Sequence, residues 1–207
     1  RVLELGCGQG DLAQELAEAC ADAEYLGLDR SEAGVDISQS KVPQANFLVR
    51  DLEQPLNLPS QYEGWATHVV CSELLEHVDD PAAVLRNVRP YLSRQGIVVI
   101  TVPGGPRSAF DLHIGHRRHF TVSSLSQVVR DAGLAAREVY GAGFPFFNLY
   151  RLAVVASGRR LIDKAQQPGF AARPLSRLAG RVFSSLFRAN VERGPHGWQI
   201  VGVAVRP

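Results

Sequence analysis

The chain predicts an α/β fold, with helices wound onto both faces of a mostly parallel sheet. Three observations carry this. Strand-like and helix-like patterns alternate from the first residue onward. The strand patterns are near-continuous apolar runs, as in sheets covered on both sides. Residues suited to holding a ligand fall at the carboxyl ends of those strands, where open α/β sheets bind.

Val2–Leu5 is a short apolar run carrying one acid, Glu4, and it breaks into glycines at alternate positions, Gly6, Gly8 and Gly10. Asp11–Ala21 then reads as a helix. Strand, tight turn and helix start in that order make a ligand site: glycine lets the backbone take positive φ, and the helix offers free N–H groups. The spacing is G-x-G-x-G rather than the longer G-x-G-x-x-G that suits a pyrophosphate. Tyr25–Leu28 reads as a second strand, ending in Asp29, where a carboxylate can accept two ribose hydroxyls; a helix-capping role is the plainer alternative. Ala33–Lys41 is a weaker helix because of Gly34 and Val35. Asn46–Val49 is a third strand, leading into Asp51 and Leu52. Thr67–Cys71 is a fourth, followed by Ser72, Glu73 and the run Leu74-Leu-Glu-His-Val78. Pro81–Tyr91 reads as a helix with Gly96 just past its end, Ile97–Val102 as a fifth strand and Ser123–Ala132 as a helix. Ala136–Val139 and Trp198–Val205 read as the last two strands.

These motifs together resemble the class I S-adenosylmethionine-dependent methyltransferases, over residues 1–139 and the final strand. The resemblance rests on Glu4 with Gly6, Gly8 and Gly10, on Asp29, on Asp51-Leu52, and on the Leu-Glu-His-Val stretch, which is similar to methyltransferases of quinone precursors and other small molecules. It implies a seven-stranded sheet with an antiparallel last strand, and S-adenosylmethionine as cofactor. It implies that Glu4, Gly6, Gly8 and Gly10 form the cofactor turn, that Asp29 holds the ribose, that Asp51 and Leu52 clamp the adenine and that Ser72 lies by the methionine end. Glu76 and His77 read as a hydrogen-bonded loop pair ahead of a catalytic one.

The segment after the fifth strand, read as a loop, holds His113, His116 and His119. Three histidines suggest zinc, but no cysteine joins them and nothing in the pattern sets them on one face, so no metal is expected. His116 and His119 are the candidate catalytic bases, since imidazole near neutrality can take a proton from an acceptor hydroxyl. Packing of the loop against the sheet edge is the competing reading.

Composition bounds the rest. The 207 residues read as a single methyltransferase domain, with a core at 1–140 and 197–207 and a helical insertion or lid at 141–196. Helical patterns at Phe146–Ile162 and Leu175–Phe187 fill that insertion, which is rich in arginine against only Asp163 and Glu192. A lid or homodimer contact is favoured over a peripheral membrane contact. A net charge of +1 gives no general pull on nucleic acid. Three cysteines without C-x-x-C spacing suit a reduced, cytoplasmic protein. Because the chain opens directly on a strand without Met, a preceding segment is expected. The function expected is methyl transfer to a small-molecule, lipid or sugar-containing acceptor, with a hydroxyl favoured. The alternatives are a non-catalytic cofactor-binding or regulatory module and a nicotinamide-dependent oxidoreductase. The latter is disfavoured by the glycine spacing and the lack of Tyr-x-x-x-Lys.

Overall fold

In the computed structural model, which describes residues 1–165 and 186–207, a seven-stranded sheet organises the chain. Its strands are β1 (Val2–Leu5), β2 (Tyr25–Asp29), β3 (Asn46–Val49), β4 (Ala66–Ser72), β5 (Leu92–Pro103), β6 (Ala135–Ala142) and β7 (Gln199–Val205). The order across the sheet is β3-β2-β1-β4-β5-β7-β6. β1 to β5 pair in parallel, and β7 runs antiparallel between β5 and β6. The doubly wound, mostly parallel architecture with an antiparallel last strand is therefore as the sequence implied. The order reverses between β1 and β4, and the crevice there opens at the carboxyl ends of both strands. β1, β2 and the middle of β4 and β5 bury Leu3, Leu5, Leu26, Leu28, Val69, Val98 and Ile100 almost completely.

The helices are α1 (Asp11–Ala19), α2 (Glu32–Lys41), α3 (Pro81–Val88), α4 (Ala109–His113), α5 (Val122–Asp131) and α6 (Phe146–Ala165). α2 is firmer than its composition suggests. Ser31 caps it, accepting from the Gly34 N–H at 3.1 Å, and Gly34 is there because a Cβ would stand 2.8 Å from the Gly8 carbonyl oxygen. α3 begins with Asp80 as cap and Pro81 in its first turn, as expected.

Two boundaries differ from the sequence reading. The helix begun at Pro81 ends at Val88 and tightens into a 3₁₀ turn over Arg89–Tyr91, because Pro90 has no N–H to continue an α-helix. β5 starts at once at Leu92, so Gly96 lies inside a strand and caps no helix. A Cβ on Gly96 would meet Leu92 Cδ1 at 2.5 Å and the Ala66 carbonyl at 2.9 Å, so close strand packing requires it. The segment read as a loop after β5 also contains a helix, α4. Ser108 and Asp111 form a reciprocal capping box around it, a local signal present in the sequence as Ser-x-x-Asp.

The insertion leaves the sheet at the end of β6 and returns at the start of β7, with Ala142 paired to Gln199. α6 is seated there by Asn148, whose Nδ2 donates to the His196 carbonyl at 2.7 Å and whose Oδ1 accepts from the Trp198 N–H at 3.0 Å. Phe147 and Tyr150 pack on Phe187, with ring centroids 6.0 and 5.9 Å apart. The second helix predicted for the insertion, Leu175–Phe187, lies outside the described residues except at its last two positions, which are helical. Among the described residues no helix is long and apolar enough to cross a membrane.

Candidate functional site

The turn after β1 is built as its glycines require. Gly6, Gly8 and Gly10 have φ of +77°, +53° and +75°, in the left-handed region closed to most side chains. Two neighbours fasten it. The Gly8 N–H donates to Asp29 Oδ2 at 2.8 Å, and the Ser38 hydroxyl of α2 donates to the Gly8 carbonyl at 3.0 Å. The place a Cβ on Gly8 would occupy is open, with nothing within 4 Å. One face of the turn is thus free for a ligand while the other is held by the protein.

A cavity of about 280 Å³ opens beside it, lined by Gly6, Asp29, Asp51, Leu52, Glu73, Leu74, His77 and Val78 among others. Asp29 Oδ1 also accepts from the Ser31 N–H at 2.8 Å, a local turn leading into α2, but the cap of that helix is Ser31 and not Asp29. These bonds do not exhaust the carboxylate, since each oxygen has two lone pairs. Asp51 holds its own turn, with Oδ1 accepting from the Glu53 N–H at 3.0 Å, and Leu52 is buried beside it. Two carboxylates at successive strand ends, an apolar wall of Leu52, Leu74 and Val78, and an open glycine backbone fit a ligand with vicinal hydroxyls, an amino-bearing flat ring and a polar tail.

Glu4 and Ser72 stand outside that wall. Glu4 is 4% exposed, receives a hydrogen bond from the Tyr25 hydroxyl, and is pushed up to about 8 by burial and by the nearby charges of Asp29 and Asp11. It is held as a neutral acid, bonded to Tyr25 of β2, one residue before β1 ends at Leu5 and the turn begins. The Ser72 hydroxyl is shared with Thr101 at 2.8 Å. Glu73 lies on the cavity wall at the end of β4. It takes a φ of +50°, which turns the chain sharply at the end of β4, and its Oε1 accepts from Gln199 Nε2 at 2.6 Å and from the Thr101 hydroxyl at 3.2 Å. A backbone angle of this kind is strained for a glutamate and persists because the surrounding contacts hold it.

Two of the three histidines, His116 and His119, come together with His77 from the segment after β4, although nothing in the sequence pattern set them on one face. His116 N donates to the Asp111 carbonyl and Arg117 N to the Glu76 carbonyl, which pins the segment after α4 against the segment after β4. His116 Nδ1 lies 3.2 Å from His119 Nε2, and the rings of His77 and His116 meet edge to face at 4.7 Å. His116 and His119 are buried, whereas His77 is the imidazole on the cavity wall, a place the sequence reading gave little weight. His113, on the last residue of α4, joins none of these contacts. Burial lowers all three of the clustered imidazoles, His116 to about 4, where His77 also repels its charged form. They are neutral and hold a lone pair at physiological pH.

Two acids adjoin this cluster. Asp111, 0% exposed, would be raised by burial, but a bidentate Arg151 and the Ser108 N–H and hydroxyl bring it down to about 2. Glu76 is also 0% exposed and neither carboxyl oxygen has a hydrogen-bond partner; burial, and then the charge of Glu73, push it up to about 8. A protonated, neutral acid is the form a dry site tolerates. Donor atoms of Glu76, His77 and His116, and of Asp111, His116 and His119, come within 4.8 Å of one another. In the second group the guanidinium of Arg151 already occupies the carboxylate. A larger hollow of about 680 Å³ lies between the start of α5 and the β6–β7 pair, away from the glycine turn. The smaller cavity is the candidate site because the strand-end motifs line it.

The fold and this crevice define an S-adenosylmethionine-dependent methyltransferase. The chain belongs to the methyltransferase-domain family, whose model matches residues 1–139. It is 29% identical over 171 residues to a ubiquinone biosynthesis O-methyltransferase of Acinetobacter baumannii (strain ACICU), covering 74% of this chain and 71% of that protein. Among solved structures, the [4+2]-cyclase SpnF superposes with a TM-score of 0.64 at 18% identity, over 100% of this chain and 74% of that one. Phosphoethanolamine N-methyltransferase 2 of Haemonchus contortus, in complex with S-adenosyl-L-methionine, gives 0.64 at 17%, over 100% of this chain and 48% of that one. At such identities the structural likeness establishes the fold.

Proposed function

We propose that this protein transfers a methyl group to a hydroxyl of a small-molecule acceptor, and that the β1–β4 crevice is where it does so. The carrying observation is the division of one cavity: Gly6, Asp29, Asp51 and Leu52 form one wall, and Glu73 and His77 approach from the end of β4. The O-methyltransferase name of the bacterial relatives supports a hydroxyl acceptor.

The glycine turn would take the amino-acid end of S-adenosylmethionine, Asp29 the ribose hydroxyls, and Asp51 with Leu52 the adenine. Glu4 and Ser72 would act from behind this wall. Bound there, the cofactor supplies an electrophilic methyl on a sulfonium. The protein's own task is alignment and proton removal. Glu73, tethered by Gln199 and Thr101, sets the position of an incoming hydroxyl. His77, which lines the cavity, would take its proton, with His116 and His119 behind it. The neutral state of all three imidazoles keeps a base available at physiological pH. The insertion, whose α6 carries Phe147 and Tyr150 against Phe187, would act as a lid on the acceptor side, which would favour an aromatic or lipid-like acceptor over a small polar one.

The test is methyl transfer from methyl-labelled S-adenosylmethionine to a panel of catechols, phenols, carboxylic acids and amines. Label in a base-stable ether is the expected result. Label only in base-labile esters or in amines would overturn the hydroxyl assignment. Cofactor binding with no transfer to any class would favour the non-catalytic module.

A further inference from the structure

The insertion is tied to the histidine cluster by one ion pair. Arg151, on the second turn of α6, reaches α4 and gives both arms of its guanidinium to Asp111, Nη1 to Oδ1 at 3.0 Å and Nη2 to Oδ2 at 2.8 Å. The carboxylate side chain is 1% exposed and the Arg151 side chain 12%. The same carboxylate faces both buried histidines, Oδ1 at 3.8 Å from His116 Nδ1 and Oδ2 at 3.9 Å from His119 Nε2.

The hydrogen bonds assign a direction to the histidine pair. His119 Nδ1 lies 3.0 Å from the Gly105 carbonyl oxygen, which can only accept, so Nδ1 carries the proton. A neutral His119 then accepts at Nε2, and the donor across the 3.2 Å contact is His116 Nδ1–H. The lone pair of His116 is left on Nε2. This order survives only while Asp111 does not draw a proton onto His119 Nε2.

We propose that Arg151 is a positioning residue: by claiming both oxygens of Asp111 it fixes the direction of the His116–His119 hydrogen bond and couples the insertion helix to the proton-handling side of the site. Without Arg151 the carboxylate would keep its two hydrogen bonds from Ser108 but would be buried with no counter-charge, and its cheapest neutralising partner would be an imidazolium within 4 Å. A proton from solvent on His119 Nε2 would turn that nitrogen from acceptor to donor and break the order of the pair. The other charged or titratable groups at the cluster are His77 and Glu76 beside His116, and Arg107, which acts on His119. Burial keeps Glu76 uncharged, and Arg107 repels an imidazolium, so Asp111 is the attracting charge.

The idea adds a positioning residue to the proposed reaction, but its test needs no acceptor. Histidine C2–H titrations would be followed by NMR on the full chain, with peaks assigned by His116→Ala and His119→Ala. In the unaltered protein neither imidazole should gain a proton near neutrality. Arg151→Gln should raise one of them by about 1–3 pH units. Asp111→Asn with Arg151→Gln should restore the low titration. Arg151→Lys, which keeps the charge without the fork, should give a partial rise, and it carries the test alone if Arg151→Gln does not fold. Lowered thermal stability with unmoved histidine titrations in Arg151→Gln and Arg151→Lys would make the pair a mere latch and overturn the proposal. Because no methyl transfer is read, a failure here is distinct from a failure of the acceptor assignment.

Discussion

The backbone N–H of Gly8 donates to Asp29 Oδ2 at 2.8 Å, so the turn after β1 and the end of β2 are one unit. Asp29→Ala removes a charged acceptor from both the turn and the cavity. Affinity for S-adenosylhomocysteine should fall by roughly 1.5–3 kcal/mol, the scale of lost charge-assisted hydrogen bonds. Isothermal titration reads this directly. An unchanged dissociation constant in a folded variant would leave Asp29 with only its structural bonds from Gly8 and Ser31.

Gly34→Ala should go against helix propensity. In an ordinary exposed helix the change gains up to ~1 kcal/mol. Here the new methyl would stand 2.8 Å from the Gly8 carbonyl, so the cofactor turn must shift. The expected outcome is a loss of about 1–3 kcal/mol in stability together with weaker S-adenosylhomocysteine binding. Thermal melts and titration measure the two. A more stable variant with normal binding would contradict the packing.

Glu76 makes stability depend on pH in a stated direction. Its folded-state value, about 8, is above the 4.5 of the exposed group. The folded form therefore holds a proton that the unfolded chain has released, and stability declines as pH rises from about 4.5 to about 8. Glu76→Gln cannot ionise. The melting temperature of that variant relative to the parent should climb between pH 5 and pH 8. A difference that stays flat over that range would mean the carboxyl is charged and paired at neutral pH.

His77→Ala and His116→Ala should reduce turnover on a responsive acceptor by about 10²–10⁴, the usual contribution of a positioned base. S-adenosylhomocysteine affinity should change far less. Because burial lowers both imidazoles, the base form persists as pH drops through 6.5, and activity should fade only at lower pH. A pH–rate profile with its acid limb at or above 6.5 would point to another base. Full turnover in both variants would leave alignment as the whole of catalysis.

What the sequence made legible was local. The glycine turn, Asp29, and Asp51 with Leu52 each lie within a few residues of a strand end, and strand, turn and helix signals are written in adjacent residues. The parallel strands were legible from their largely apolar runs and the last strand from its alternation, whereas the single seven-stranded sheet came from the family resemblance and the order across it was not legible. Gly96 misled because a glycine after a helical run signals a cap as readily as a close strand contact, and only Leu92 and Ala66 decide between them. The histidine cluster was illegible for a different reason. His77 reaches His116 only because backbone bonds such as Arg117 N–H to the Glu76 carbonyl fold two distant segments together. Nothing in the sequence marks Glu76 as unpartnered, or Arg151 as the match for Asp111 across 40 residues. The Ser108-x-x-Asp111 box was visible and would have revealed α4.

β7 sits between β5 and β6, although it is the last of the seven strands to be made. As the protein emerges from the ribosome, β1 to β5 can assemble early, but β5 keeps a bare edge and β6 has no strand to pair with until residues 199–205 arrive. The edge of β5 is long and apolar, the kind that recruits strands from other molecules. The nascent chain thus passes through an interval of heightened aggregation risk, and a faster supply of the C-terminal strand, or a chaperone holding that edge, should raise the yield of soluble protein.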